Sequence, residues 1–268
     1  MTIERLLDQS PLAAYWLGFL FADGTLSKPG GLRLVIHERD LNHLEKFSQF
    51  VNVPIRRGIK YCTRVSVNKH DQRIAAELQC AFDWHPRKTY NPPRWLPYTD
   101  PRLLLAFFGG MTDGDGSIAH HASKAVFANS KQRSICLRLV GYYAWVDFFM
   151  ALRGVVPLLT PSIIRVYHTK SGPKVWIELN RSRVISNIKR ELQSMDLPLM
   201  ERKWDVVDCD YWEAYVDPTE NAWRLRQRVL SLLEEHKTVG EIAEIMNISK
   251  DRVYRFRNGS RGNAGYLQ

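Results

Sequence analysis

The 268-residue sequence predicts an α+β fold made by internal duplication, with a small all-α domain appended. Three observations lead there. Residues 10–24 and 100–116 read almost as copies, each an apolar, glycine-bearing run that ends on an aspartate followed by glycine. After each copy the chain repeats one order of strand and helix patterns. Near Asp217-Pro218 the composition shifts, and three short helical patterns close the chain.

The elements follow in order. Ser10-Pro11, a cap-type residue before proline, opens the first helix, and Gly24 after Asp23 is a natural stop. After a turn at Lys28-Pro29-Gly30-Gly31, residues 32–39 alternate: Leu32, Leu34 and Ile36 share one face, and Arg33, Val35, His37 and Arg39 the other. A helix is expected over 41–51, basic strands over 55–61 and 64–68, and a helix over 71–82 that leads to Arg87-Lys88. A proline-rich connector spans 91–100. Asp100-Pro101 then repeats the helix start. Basic strands over 123–139, a helix over 143–153 and a hairpin of 163–168 with 174–180, turning at Lys170-Ser171-Gly172-Pro173, come next. A helix over 184–195 leads to Arg202-Lys203. The expected divisions are a first half over 1–90, a second over 101–217, a helical domain over 222–260 and a tail over 261–268.

The two aspartates stand at helix C-termini, where the macrodipole disfavours an anion by roughly 0.3–1 kcal/mol. Two such placements suggest that the carboxylates serve something cationic. Gly18, Gly109 and Gly110 lie about one turn earlier and, lacking a Cβ, let two apolar helices approach closely. Side by side and parallel, the helices bring Asp23 and Asp115 together. Paired carboxylates repel, and a divalent cation removes the conflict; oxygen ligands favour Mg²⁺. Asp113, Asp115 and Ser117 also open like a Ca²⁺ loop. Ile118 and Lys124 at its sixth and twelfth positions exclude that reading.

These residues resemble the LAGLIDADG homing endonucleases with two motifs on one chain. The copies read WLGFLFADG over 16–24 and FGGMTDGDG over 108–116. The motif's last acid stands at Asp23 and Asp115, while its earlier acid is Phe21 in one copy and Asp113 in the other. The resemblance covers roughly residues 10–215 and implies a duplicated αββαββα core with a pseudo-two-fold axis, whose two antiparallel sheets form a DNA-binding saddle beneath a central helix pair. It implies Asp23 and Asp115 as catalytic metal ligands, the carbonyls of Ala22 and Gly114 as further oxygens, and Lys88 and Lys203 as basic residues beside the acids. Mg²⁺ is the expected cofactor, with Mn²⁺ or Ca²⁺ as substitutes.

A net charge of +10 points to an acidic partner such as double-stranded DNA. A two-stranded ribbon fits the major groove, where basic and polar side chains read base edges. Candidates are Arg33, His37, Arg39, Arg56, Arg64, Ser66 and Asn68 in the first half, and Lys131, Arg133, Arg138, Arg165, Tyr167, Lys174 and Trp176 in the second. The last 47 residues carry nine Lys and Arg against five Asp and Glu. Thr238 with Glu241 reads as a capping box and Ser249 as a cap. The spacing of Ala243, Asn247, Val253 and Phe256 resembles a helix-turn-helix, with Lys250, Arg252, Tyr254 and Arg255 on the open side of its second helix.

Cys62, Cys80, Cys136 and Cys209 are scattered without a C-x-x-C, which indicates neither a zinc site nor a disulfide framework and suits a reducing compartment. The N-terminus carries no signal-peptide pattern, and the longest apolar run, 11–22, is too short to span a membrane. The chain reads as free-standing rather than embedded in an intein. The expected function is that of a monomeric, site-specific DNA endonuclease. A non-cleaving LAGLIDADG/helix-turn-helix regulator and an intron RNA maturase are the alternatives.

Overall fold

A computed structural model describes residues 3–27, 31–57, 64–121, 134–209 and 218–258. The chain divides into two compact units, residues 1–210 and 211–268. Among the described residues no helix is long and apolar enough to cross a membrane.

The first unit holds the duplication. Its first half runs α1 (Pro11–Asp23), β1 (Gly24–Ser27), β2 (Gly31–His37), α2 (Leu41–Val51), β3 (Ile55–Arg57), β4 (Arg64–His70) and α3 (Gln72–Phe82). Its second runs α4 (Pro101–Asp115), β5 (Ser117–His121), β6 (Ser134–Tyr142), α5 (Val146–Val155), β7 (Ile163–Thr169), β8 (Gly172–Leu179), α6 (Ser182–Ser194) and the short α7 (Glu201–Trp204). Each half forms one antiparallel four-stranded sheet, in the order β1-β2-β4-β3 and β5-β6-β8-β7. The second sheet therefore repeats the strand order of the first.

Local rules account for the helix starts. Ser10 accepts from the Ala13 amide at 3.3 Å and Asp100 from the Arg102 amide at 2.8 Å, each just ahead of proline. Asp71 caps α3 in the same way. Alternation accounts for the sheets. Leu32, Leu34 and Ile36 of β2 are buried, as are Ile135, Leu137 and Leu139 of β6 and Val175, Ile177 and Leu179 of β8. Residues between them form the open face.

The motif helices are apolar on every side because they form the centre of the core, where Tyr15, Trp16, Leu17, Phe19, Leu20, Phe107 and Phe108 are all sealed from water. Their contact is backbone to backbone. A Cβ on Gly18 would meet the Phe107 carbonyl oxygen at 1.9 Å, and one on Gly110 would meet the Tyr15 carbonyl oxygen at 1.9 Å. One on Gly114 would meet the Ala22 Cβ at 2.2 Å. Gly110 thus stands against Tyr15 and Phe19, and Gly114, one turn later, against Ala22 and Asp23, so the two helices advance together and the pair is parallel.

Several expectations need correction. Gly109 does not face the helix pair; it makes room for Leu192 of α6, whose Cδ2 would lie 2.9 Å from an added Cβ. Gly24 and Gly116 do not stop their helices by a left-handed turn, since both are extended (φ −77° and −80°). They are small because the Leu20 and Thr112 carbonyl oxygens stand 2.6 Å from where each Cβ would be. Arg39 is not in β2. It lies in a 3-10 turn, Glu38–Asp40, entered when His37 Nδ1 accepts from the Arg39 amide at 3.1 Å. The helix expected over 143–153 begins as a 3-10 turn, Tyr143–Trp145, before α5. The strand expected over 123–139 lies partly outside the described residues, and β6 continues to Tyr142.

The second unit contains α8 (Pro218–Glu234), α9 (Val239–Met246) and α10 (Lys250–Arg257). Val229, Leu232, Ile242, Ala243 and Val253 form its core, with Leu233, Val239, Met246, Ile248 and Phe256 against it. The Thr238/Glu241 capping box opens α9, and Asn247 leaves it in the left-handed conformation (φ 49°, ψ 48°) that asparagine tolerates. Ser249 caps α10 through the Arg252 amide.

Candidate active site

The parallel helix pair delivers the last residues of α1 and α4, Asp23 and Asp115, to one end of the core. The Asp23 carboxylate lies over Gly114, 3.5 Å from where a Cβ would stand. Burial pushes the Asp23 carboxyl up to about 6; the Asp115 charge adds to this, and Lys203 and Lys88 oppose it. Asp115, whose side chain reaches solvent, is also pushed up by desolvation, against the same two lysines.

Both lysines cap a motif helix. Lys88 donates from Nζ to the carbonyl oxygens of Leu20 (3.3 Å) and Ala22 (2.5 Å) at the end of α1. Lys203 donates to those of Thr112 (3.0 Å), Gly114 (2.8 Å) and Gly116 (2.8 Å) at the end of α4. Carbonyls of a last helical turn and a negative dipole end are a natural seat for an ammonium group. Burial draws Lys88 down to about 8 and lowers Lys203 as well, with the nearby carboxylates resisting in each case. The structure thus brings together Asp23, Asp115, Lys88 and Lys203. It also engages the carbonyls of Ala22 and Gly114, expected as cation ligands, with lysine ammonium groups.

Two neighbouring carboxylates are oxygen donors of the kind that suits a hard divalent cation. No group of three or more His, Cys, Asp or Glu that could hold a metal occurs among the described residues, so a cation here would rest on the carboxylate pair.

Beneath the site is a network that the sequence motifs do not announce. Asp113 is 1% exposed. It accepts from the Tyr15 hydroxyl at 2.5 Å, the Trp204 indole at 2.7 Å and the Met200 amide at 2.9 Å. Tyr15 also meets His43 Nε2 at 3.2 Å, and burial holds that imidazole neutral, with its pKa near 3. Phe21, the counterpart of Asp113, instead stacks at 5.0 Å on Trp84. An acid in one copy and an aromatic in the other was the available signal.

On the first sheet's open face, Arg33 and His37 are exposed, and the register sets Asn68 opposite Arg33, Ser66 opposite Val35 and Arg56, and Arg64 opposite His37. Arg64, Ser66 and Asn68 are placed by register alone, and Arg56 is exposed on the edge strand. Lys131 and Arg133 lie outside the described residues, as does Cys62. On the second sheet Trp176 is not core. It stacks on Tyr167 with ring centres 4.1 Å apart, and the Arg138 guanidinium lies 4.8 Å above it. Arg138 is held by Glu178 through Nε at 2.6 Å. Register sets Arg165 beside Trp176 and Tyr167 beside Lys174. In the second unit Lys250, Arg252, Tyr254 and Arg255 are all exposed around α10.

No protein-family model and no curated protein matches the chain. Solved structures do. A single lysine-to-alanine mutant of I-SmaMI is 15% identical, with 95% of this chain and 99% of that one aligned at a TM-score of 0.50. The I-SmaMI LAGLIDADG homing endonuclease bound to cleaved DNA is 13% identical over 97% of this chain and 99% of that one, also at 0.50. Such identities speak for fold. Duplicated sheets of one strand order, joined by a parallel pair of glycine-contact helices that end in aspartate, give the same answer: the chain has the LAGLIDADG homing endonuclease fold.

Proposed function

We propose that this protein is a site-specific endonuclease that hydrolyses phosphodiester bonds of double-stranded DNA. The observation that carries the reading is the meeting of Asp23 and Asp115 at adjoining helix ends, each with a buried or half-buried lysine beside it. The solved structures of like fold include an endonuclease bound to cleaved DNA, which accords with it.

Phosphodiester hydrolysis needs in-line attack by water and stabilisation of the charge that grows on phosphate and on the leaving oxygen. A divalent cation, with Mg²⁺ the choice for an oxygen set, would supply Lewis acidity when bound. Asp23 and Asp115 would hold it. Lys88, with its pKa near 8, keeps most of its charge at neutral pH. With Lys203 it sets positive charge where phosphate oxygens arrive. Both Nζ atoms are fixed by helix-end carbonyls, so little reorganisation is required as the reaction proceeds.

The open sheet faces would offer Arg33 and His37 of the first half and Arg138, Arg165 and Lys174 of the second to base edges, and α10, entering a major groove, would add Lys250, Arg252, Tyr254 and Arg255 as a second contact. Because one chain carries both halves, a monomer supplies the whole site. The test is cleavage selection from a random duplex library with Mg²⁺. Recovery of one cut sequence supports the reading. Specific binding of a recovered sequence without cleavage under any divalent ion would instead make the chain a DNA-binding regulator.

A further inference from the structure

The two lysines are anchored in a crossed arrangement. Each ammonium group caps its own half's motif helix, yet the segment carrying it is tied to the other half. Arg202, next to Lys203, grips Asp40 of the first half with two hydrogen bonds, Nε to Oδ1 at 2.5 Å and Nη2 to Oδ2 at 2.9 Å. Glu201 adds a contact to Lys46 of α2 at 3.8 Å. In the first half, the carbonyl oxygens of Lys88 and Thr89 accept from the indole of Trp145, a second-half residue, at 3.1 and 3.2 Å. Tyr90 then packs edge-to-face against Tyr142 of β6, ring centres 4.8 Å apart.

Asp40 and Trp145 are counterparts. Each is the last residue of a 3-10 turn, Glu38–Asp40 or Tyr143–Trp145, and each directly precedes the helix α2 or α5. Both have nearly the same backbone (φ −102°, ψ 17° and φ −81°, ψ 0°) and both are buried. The chemistry differs, a bidentate ion pair in one and an indole donor in the other, while the place and task coincide. The turn that ends at Asp40 follows β2 directly, and the turn that ends at Trp145 follows β6, so each clamp continues a central strand of the sheet opposite its lysine.

We propose that Asp40 and Trp145 are positioning residues acting across the halves: Asp40 sets Lys203 through Arg202, and Trp145 sets Lys88 through its backbone. This rests on the endonuclease reading for its catalytic consequence but not for its geometry. Loosening one clamp displaces one lysine and slows one strand, and a displacement of ~1 Å is enough to cost a catalytic group about 100-fold.

The test uses the full chain with Asp40→Asn, Arg202→Lys and Trp145→Phe. First, Lys88 and Lys203 are acylated with an amine-reactive ester and followed site by site by mass spectrometry. Asp40→Asn and Arg202→Lys should raise labelling of Lys203 several-fold and leave Lys88 unchanged, and Trp145→Phe should do the reverse. Second, single-turnover cleavage with strand-specific labels should show Asp40→Asn and Arg202→Lys slowing the strand that Lys203→Met slows, and Trp145→Phe the strand that Lys88→Met slows, each by about tenfold or more. General destabilisation would raise labelling of both lysines and slow both strands together; that result, or no change at either lysine, overturns the proposal. A wild-type protein that cuts no selected DNA removes the endonuclease reading and leaves the labelling pattern to decide this one.

Discussion

Tyr15 donates its hydroxyl hydrogen to Asp113 at 2.5 Å across the interface of the two motif helices, 98 residues apart in the chain. The bond sits below the aspartates of the candidate site and ties the two halves from inside. Tyr15→Phe leaves a buried carboxylate without one of its three donors, and unsatisfied buried groups cost about 1–3 kcal/mol. The variant should lose that much stability in urea unfolding. Phe21→Tyr at the pseudo-equivalent place of Asp113, where Trp84 is the stacking partner, should gain nothing.

Gly18→Ala and Gly110→Ala should each disrupt the core, because the added methyl would meet a carbonyl oxygen at 1.9 Å and the motif helices must part. Overpacking costs about 1–3 kcal/mol where side chains can give way, and more is expected against rigid backbone. Gly154→Ala is the control. Nothing lies within 4 Å of its Cβ, in the last turn of α5, so helix propensity should raise stability by about 0.5–1 kcal/mol. Thermal unfolding of the three variants checks the order.

Asp23→Asn and Asp115→Asn should each abolish or severely slow cleavage while leaving site-specific binding largely intact. Each removes a charge from the proposed cation site without changing side-chain size. Cleavage and gel-shift assays on the selected sequence measure the two effects separately. Full-speed cutting by either variant would remove that residue from the reaction.

Asp83 carries a pH dependence of stability. Arg94 holds its carboxyl down, to about 2, through side-chain and backbone hydrogen bonds, and His85 adds another at 2.8 Å. Its folded pKa lies below the unfolded value. The contribution is therefore complete above roughly pH 4 and fades as the pH falls toward 2. Arg94→Met should flatten the decline of unfolding free energy between about pH 5 and 2, as measured by urea titration across that range. Parallel curves for the two proteins would show that Arg94 does not set the Asp83 pKa.

Ending the chain after Asp217 should leave a first unit that still cuts but binds its site more weakly. For every phosphate that the missing unit would have neutralised, the slope of log K against log salt should fall by about 0.9. The footprint should shorten on one side. Equal affinity, slope and footprint would point to a protein-docking role for the three-helix unit.

Capping and alternation act within a few residues, so their marks could be read from the chain alone. Ser10-Pro11 and Asp100-Pro101 begin helices where expected, Asp23 and Asp115 end them, and Leu32, Leu34 and Ile36 are buried on one face of β2. The duplication, and with it the fold class, followed from those local marks occurring twice. Tertiary packing decided which small residue faces which partner: Gly109 meets Leu192, while Gly114, which has the same local character, meets Ala22. It decided that Arg39 leaves its strand for a 3-10 turn and that Trp176 lies on the open face beneath Arg138. It also decided that Asp40 holds Arg202, a pairing 162 residues apart. No periodicity encodes such a contact, because it exists only once the two halves have come together.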